Sequence, residues 1–129
     1  MLRNNIFIKI SKPYRLLKIK LSIMKSFNIK EIIGNKGKIV FDDLSTIDTS
    51  LGIENNIDDL KEDLLQVELA NGNVLDVGWY PSFDIEGYFS VCIIKNYDWM
   101  EPFYLKKCNQ WNDLNELVKE AISFNLENS

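Results

Sequence analysis

The side chains most able to do chemistry in this chain are carboxylates that lie near predicted turns. Two carboxylates at a fixed separation across a cleft can act as general acid and base, and several together can bind calcium. The best calcium candidates are Asp84 and Glu86, two residues apart. No spacing in the set distinguishes these side chains from solvated turn acids, so we predict neither a catalytic residue nor a metal ligand. The set comprises Asp76, Asp84, Glu86, Asp98 and Glu101.

The residue types that serve most enzymes are scarce. Histidine is absent, which removes the commonest general base and the commonest metal ligand. Cys92 and Cys108 are too far apart for a CxxC redox or zinc motif, and Cys92 lies in an apolar run typical of a buried strand. The chain has no phosphate-binding loop, nucleophile elbow or EF-hand loop. We predict a non-enzymatic protein without a cofactor.

Hydropathy and thiol content predict the cellular compartment of the protein. No run approaches the roughly 18 apolar residues that span a bilayer. Lysines and arginines interrupt the apolar positions of the amino-terminal segment, which leaves no signal-peptide core. Two thiols without a disulfide pattern suit a reducing compartment. These observations predict a cytoplasmic protein that does not bind membranes.

Charge divides the chain into two parts. Residues 1–38 carry ten Lys/Arg and one acid, whereas residues 39–129 carry five lysines and eighteen Asp/Glu, so their net charges are +9 and −13. Residues 1–23 form a basic extension with strand-like alternation, and Met24 is an alternative start that would exclude them. If the extension is part of the protein, it is more typical of a solvated edge strand than of an arm for nucleic acid or lipid. The acidic remainder repels phosphate, so no nucleic-acid partner is predicted.

Residues 24–129 predict a single α+β domain, an antiparallel meander of four to five strands with a carboxyl-terminal amphipathic helix packed on one face. Residues 26–33 and 38–41 predict a first hairpin, and residues 42–63 predict a long loop with one helical turn. The strongest local signal is Asn71-Gly72 between two alternating apolar runs, which favours a hairpin of residues 65–69 and 74–80.

The rest of the chain continues the same pattern. Apolar and aromatic runs predict strands at residues 88–94 and 103–107. Asn112 or Asp113 is expected to cap the final helix. Helical spacing of its apolar residues predicts one buried face, formed by Leu114, Leu117, Val118, Ala121 and Ile122.

Aromatic residues are concentrated in the second half of the chain, and not all of them fit in the core. Trp79 and Tyr80 are adjacent, so they point to opposite faces of a strand, while Tyr97 and Trp99 flank Asp98 in a predicted turn. Exposed aromatics ringed by acids have the composition of a protein-binding hot spot that faces a basic partner. Packing of these rings beneath the turns is the alternative for any one of them.

One set of turns and aromatics resembles small bacterial immunity proteins of polymorphic toxin and contact-dependent inhibition systems. The similarity covers about residues 24–124. The stretches that carry it are residues 62–68, Asn71-Gly72, residues 75–81, residues 87–89, Asp98-Trp99 and Pro102.

This resemblance implies an acidic, cytosolic, non-enzymatic protein that binds one toxin domain, often a basic nuclease, and blocks its active site or its access to substrate. No catalytic residue carries over. On this hypothesis the five turn acids steer the toxin and pair with it, and four aromatics anchor it, namely Trp79, Tyr80, Tyr97 and Trp99. A binding or regulatory module with another ligand is one alternative. A small hydrolase that uses the turn carboxylates is another, and it predicts pH-dependent turnover.

Overall fold

A five-stranded antiparallel sheet and a carboxyl-terminal helix form the described part of the chain. The computed structural model describes residues 25–128, so the predictions for residues 1–23 and for a start at Met24 lie outside it. The sheet has the order β1-β2-β3-β4-β5, with every neighbouring pair antiparallel. The predicted α+β meander is confirmed. In chain order the elements are α1 (Ile29–Ile33), β1 (Gly37–Asp42), β2 (Leu65–Leu69), β3 (Val74–Tyr80), β4 (Tyr88–Ile94), β5 (Tyr104–Cys108) and α2 (Trp111–Asn128).

One face of the sheet holds the hydrophobic core. Because side chains alternate between the faces of a strand, every second residue of β2, β3 and β4 is buried on this face. Helix α2 lies against β4 and β5 and contributes the apolar stripe that its spacing predicts. The helix begins at Trp111, so the predicted caps Asn112 and Asp113 lie inside its first turn.

The predicted first hairpin is wrong, because residues 29–33 form helix α1 instead of a strand. The Asn28 side chain accepts a hydrogen bond from the Glu31 backbone amide at 3.2 Å and donates one to the Glu31 carboxylate at 3.3 Å. This local cap favours a helical turn. The apolar residues of the turn, Ile29 and Ile33, are buried four positions apart, as on one helix face.

The segment between β1 and β2 contains more structure than one helical turn. It forms two 3₁₀ helices, Leu44–Thr46 and Ile53–Asp59. Buried polar side chains hold it together: Asn56 donates to the Asp48 carbonyl at 3.0 Å, and the Asp48 carboxylate accepts from Ser50. Since these bonds follow no apolar period, the periodicity of the sequence does not reveal them.

The second face of the sheet is partly covered. Asp76 on this face pairs across the sheet with Gln66 and Cys92, and Cys92 pairs with Leu105, which is exposed at the edge. Toward the other end of β3, the backbone at Glu62 closes over Gly78. Within residues 25–128, no helix has both the length and the apolar character needed to cross a membrane.

Candidate functional site

The structure distributes the predicted partner-binding residues over four places. Asp76 and Tyr80 lie on the partly covered face of the sheet, while Asp84 and Glu86 lie in the turn between β3 and β4. Trp79 lies in the core. The remainder lie in residues 95–103, which we call the β4–β5 loop. Since β4 has seven residues, the turn and the loop at its two ends are separated by about 20 Å. The predicted partner-binding residues therefore do not form one continuous surface.

The β4–β5 loop exposes three large apolar side chains within four consecutive residues. Met100 is 93% exposed, Tyr97 is 75% exposed and Trp99 is 49% exposed. The flanking acids Asp98 and Glu101 are exposed as well. Single exposed apolar residues are common on proteins, but a contiguous group rimmed by charge is typical of an interaction site.

The backbone of the β4–β5 loop adopts an uncommon conformation. Asn96 and Tyr97 have φ angles of 58° and 57°, and the Asp98 amide donates to the Lys95 carbonyl at 3.1 Å. Positive φ at both central residues of a β-turn is typical of type I′, which favours glycine and asparagine. A tyrosine is costly at such a position, so the turn geometry does not account for the choice of this residue.

The base of the same loop is fixed to the body of the domain. The Phe103 amide donates to the Ile93 carbonyl at 2.8 Å, and its ring packs against Phe124 of α2 at 5.2 Å between centroids. The Lys95 ammonium lies 4.7 Å from the centre of the same ring. A loop anchored at both ends presents its tip in a defined place and loses little entropy on binding.

The turn between β3 and β4 uses its polar groups to hold itself together. The Asp84 carboxylate accepts from the Glu86 amide at 2.9 Å, and the Asp84 carbonyl accepts from the Trp79 indole N–H at 2.9 Å. Glu86 itself is exposed, as are the neighbouring apolar residues Phe83 and Ile85. The Asp84 side chain thus has a structural role in the turn.

Trp79 is buried in this structure, so the prediction that it anchors a partner is corrected. Its side chain is only 1% exposed and packs edge-on against Phe89 with centroids 4.8 Å apart. The reason is its position on the core face of β3, whereas Tyr80 next to it lies on the opposite face and is half-buried. Trp79 stabilises the core and orders the turn through its bond to Asp84.

The partly covered face surrounds Asp76 with groups that disfavour ionisation. Burial raises the pKa of Asp76, the negative charge of Asp63 adds to the rise, and the hydrogen bond from Gln66 opposes it. The amide of Gln66 donates to the carboxylate at 3.3 Å. Burial, assisted by the charges of Asp76 and Glu62, raises the pKa of Tyr80 to about 12. This face therefore concentrates negative potential on a partly apolar surface.

We expect Asp76→Asn to make the fold more stable at pH 7. A carboxyl whose pKa is higher in the folded than in the unfolded state stabilises the fold only while protonated, so this contribution is lost as pH rises through the folded-state pKa. At neutral pH the free energy of unfolding of the variant should rise by less than about 1 kcal/mol, because the side chain is partly exposed and solvent screens its charge.

Urea unfolding of both proteins from pH 3 to pH 8 measures this effect. The advantage of Asp76→Asn should shrink as pH falls and the wild-type carboxyl becomes protonated. Asp58→Asn, at an exposed position, is the matched control and should change the free energy of unfolding by less than about 0.5 kcal/mol. A constant difference across the whole pH range would contradict the electrostatic explanation.

The two thiols are not activated in this structure. Burial, together with the charge of Asp76, raises the pKa of Cys92 to about 11. Burial also raises the pKa of Cys108 to about 11, with Asp113 adding to the rise. Since the thiolate is the nucleophile, both groups are poor nucleophiles at neutral pH. In residues 25–128, no three or more side chains of His, Cys, Asp or Glu lie close enough together to hold a metal ion.

Sequence reasoning missed the most exposed member of the β4–β5 loop, Met100. Its neighbours were assigned from their aromatic and acidic character, and methionine carries neither signal, although it is common on binding surfaces. It also missed Ile85 and Leu105, whose exposure depends on how the sheet ends rather than on their neighbours in sequence.

Comparison of the chain with protein-family models, with curated proteins and with solved structures finds no match.

Proposed function

We propose that this protein is a non-enzymatic immunity protein of the cytoplasm, which binds and neutralises a basic toxin domain. The observation that supports the proposal best is the β4–β5 loop, where exposed Tyr97, Trp99 and Met100 lie between the acids Asp98 and Glu101. Tryptophan and tyrosine are enriched among the residues that dominate the affinity of protein interfaces, methionine is common in interface cores, and a surrounding rim excludes water. The family resemblance of the sequence is consistent with this function.

The charge of the domain supports a basic partner. Residues 25–128 contain nine lysines and nineteen Asp/Glu, which gives a net charge of −10. An acidic surface accelerates encounter with a basic protein and has its strongest effect on the association rate. Two of the lysines, Lys61 and Lys106, form ion pairs with Asp43 and Glu120, and the net charge of −10 already includes both pairs.

The proposed mechanism of neutralisation is steric. The loop projects from one end of the sheet on an anchored base, so it fits a concave site on the partner better than a flat one. In a nuclease, the cleft that binds nucleic acid is both concave and basic. Insertion of the apolar tip, with Asp98 and Glu101 against basic side chains of the cleft wall, would exclude the substrate without any chemistry by this chain.

The decisive experiment is capture of the partner by the tagged full-length chain from the native strain, with identification by mass, followed by kinetics with the purified partner. We expect a basic toxin domain whose association rate constant falls at least about tenfold between 50 and 500 mM salt, while its dissociation rate changes little. Co-expression of the chain should also abolish the toxicity of that domain.

Three results bear on this proposal. A basic toxin domain that the chain neutralises would support it, and an acidic or salt-insensitive partner would contradict the electrostatic part. If the captured protein is not toxic, or if the chain leaves its toxicity unchanged, the immunity function is wrong. The gene neighbourhood offers a first check, since an adjacent gene for a large secreted toxin is expected.

A further inference from the structure

A half-open cavity of about 520 Å³ lies far from the β4–β5 loop, at the other end of α2. Its walls come from the chain around Lys25 and α1, from Thr49, and from the first half of α2. The volume lies within the range of about 300–1,000 Å³ that is usual for sites of small molecules. It is too large for an inorganic ion alone.

The charge of this cavity differs from that of the rest of the domain. Lys25 and Lys119 line it, against the single carboxylate of Glu31. Among the described residues, neither lysine has a carboxylate oxygen within 4.0 Å. The Glu31 carboxylate accepts a hydrogen bond from Asn28 in the cap of α1. Two ammonium groups without a carboxylate partner among residues 25–128, in a domain of charge −10, are a local positive site.

The first turns of α2 contribute side-chain amides and an aromatic ring to the walls. Asn112 and Asn115 project from α2, and within residues 25–128 no hydrogen bond of either side chain to protein is present. The half-buried Trp111 ring is fixed, because its N–H donates to the Leu51 carbonyl at 2.9 Å and Phe27 packs edge-on against it at 6.0 Å. A ring held in this way provides a rigid surface for a planar group.

We propose that this cavity binds a small anion that carries a planar ring, of about the size of a mononucleotide. The anionic group lies between the ammonium groups of Lys25 and Lys119, where charge-assisted hydrogen bonds are strongest. The ring lies against Trp111, and the amides of Asn112 and Asn115 bind its polar edge. The site is independent of the partner-binding function, since it shares no residue with the β4–β5 loop.

Adenosine monophosphate is the probe that tests this site, with adenosine and inorganic phosphate as partial probes. We expect it to shift the NMR signals of the Trp111 indole N–H and of the Asn112 and Asn115 side-chain amides, with a dissociation constant near 10⁻⁴ M, about −5.5 kcal/mol. Each partial probe should bind at least about tenfold more weakly, because it lacks either the charge or the ring.

Variants separate this site from general electrostatics. Lys25→Gln and Lys119→Gln, both at exposed positions, should each weaken binding of adenosine monophosphate about tenfold. The NMR signals of residues outside the cavity should stay in place, which shows that the fold is intact. Lys36→Gln, an exposed lysine outside the cavity, should change nothing. Absence of shifts at Trp111, Asn112 and Asn115 up to about 10 mM probe would overturn the proposal, as would unchanged affinity in both lysine variants.

Discussion

Replacement of Trp99 by alanine is expected to weaken binding of the basic toxin domain about a hundredfold, mostly through faster dissociation. Tryptophan is the residue most enriched at the centres of protein interfaces, and here it is flanked by Tyr97 and Met100 on an anchored loop. Half of its side chain is already exposed in the free protein, so truncation removes contact area with the partner. Surface plasmon resonance with the purified toxin domain measures both rate constants.

The control for this effect lies at the opposite end of β4. Ile85→Ala removes an apolar side chain that is 53% exposed, close to the exposure of Trp99, in the turn between β3 and β4. If the β4–β5 loop is the binding surface, affinity should change less than about twofold. If Ile85→Ala costs more than Trp99→Ala, the partner binds at the other end of the sheet and the assignment of the loop is wrong.

A second substitution in the loop separates binding from folding. Glycine adopts the φ of 57° at this position without strain, so Tyr97→Gly should stabilise the fold by about 0.5–1 kcal/mol. Little packing is lost, because the ring is 75% exposed. The same change should reduce affinity for the toxin, because the ring is lost. A variant that folds more stably and binds less tightly would show that Tyr97 contributes to recognition and not to stability. A loss of stability would instead show that the ring supports the loop.

The sequence predicts the sheet well because its signals are local. Each of β2, β3 and β4 alternates or runs apolar over five to seven residues, and Asn71-Gly72 favours the turn between β2 and β3. Helix α1 was missed because Ile29, Ile32 and Ile33 fit both a strand and one helical turn, and the cap formed by Asn28 and Glu31 decides between them. Residues 42–63 have no apolar period at all, and their structure depends on buried polar bonds.

The candidate site could be predicted only in part from the sequence, because exposure depends on the fold. Asp84 and Asp98 are both acids in turns next to β4, yet they lie at opposite ends of that strand, and the Asp84 carboxylate accepts a hydrogen bond within its own turn. Trp79 and Tyr80 differ by one position, which places one in the core and the other on the opposite face. The chemical types that form a hot spot are visible in the sequence. Which of them share a surface depends on the fold.

The largest expected effect on stability comes from Gly78→Ala, which should lower the free energy of unfolding by about 3 kcal/mol. The new methyl group would meet the Glu62 carbonyl oxygen in a contact far too short for carbon, and the Tyr80 ring at 3.0 Å. The backbone at Glu62 has little freedom to retreat, because the Lys61 carbonyl accepts from the Trp79 amide at 2.8 Å and the Leu64 amide donates to the Val77 carbonyl at 3.1 Å. Urea unfolding followed by tryptophan fluorescence measures the loss.

Gly72→Ala is the matched control, because it places the same methyl group where no atom of the described chain, apart from its own neighbours in sequence, lies within 4 Å. Its φ of 89° makes alanine strained, so we expect a cost of about 1 kcal/mol from the backbone alone. Gly78 has no such φ, and its cost comes entirely from the approach of another segment. A smaller loss for Gly78→Ala than for Gly72→Ala would mean that the chain at Glu62 moves away from β3 easily. Residues 60–64 would then be a mobile cover of the sheet rather than a fixed part of it.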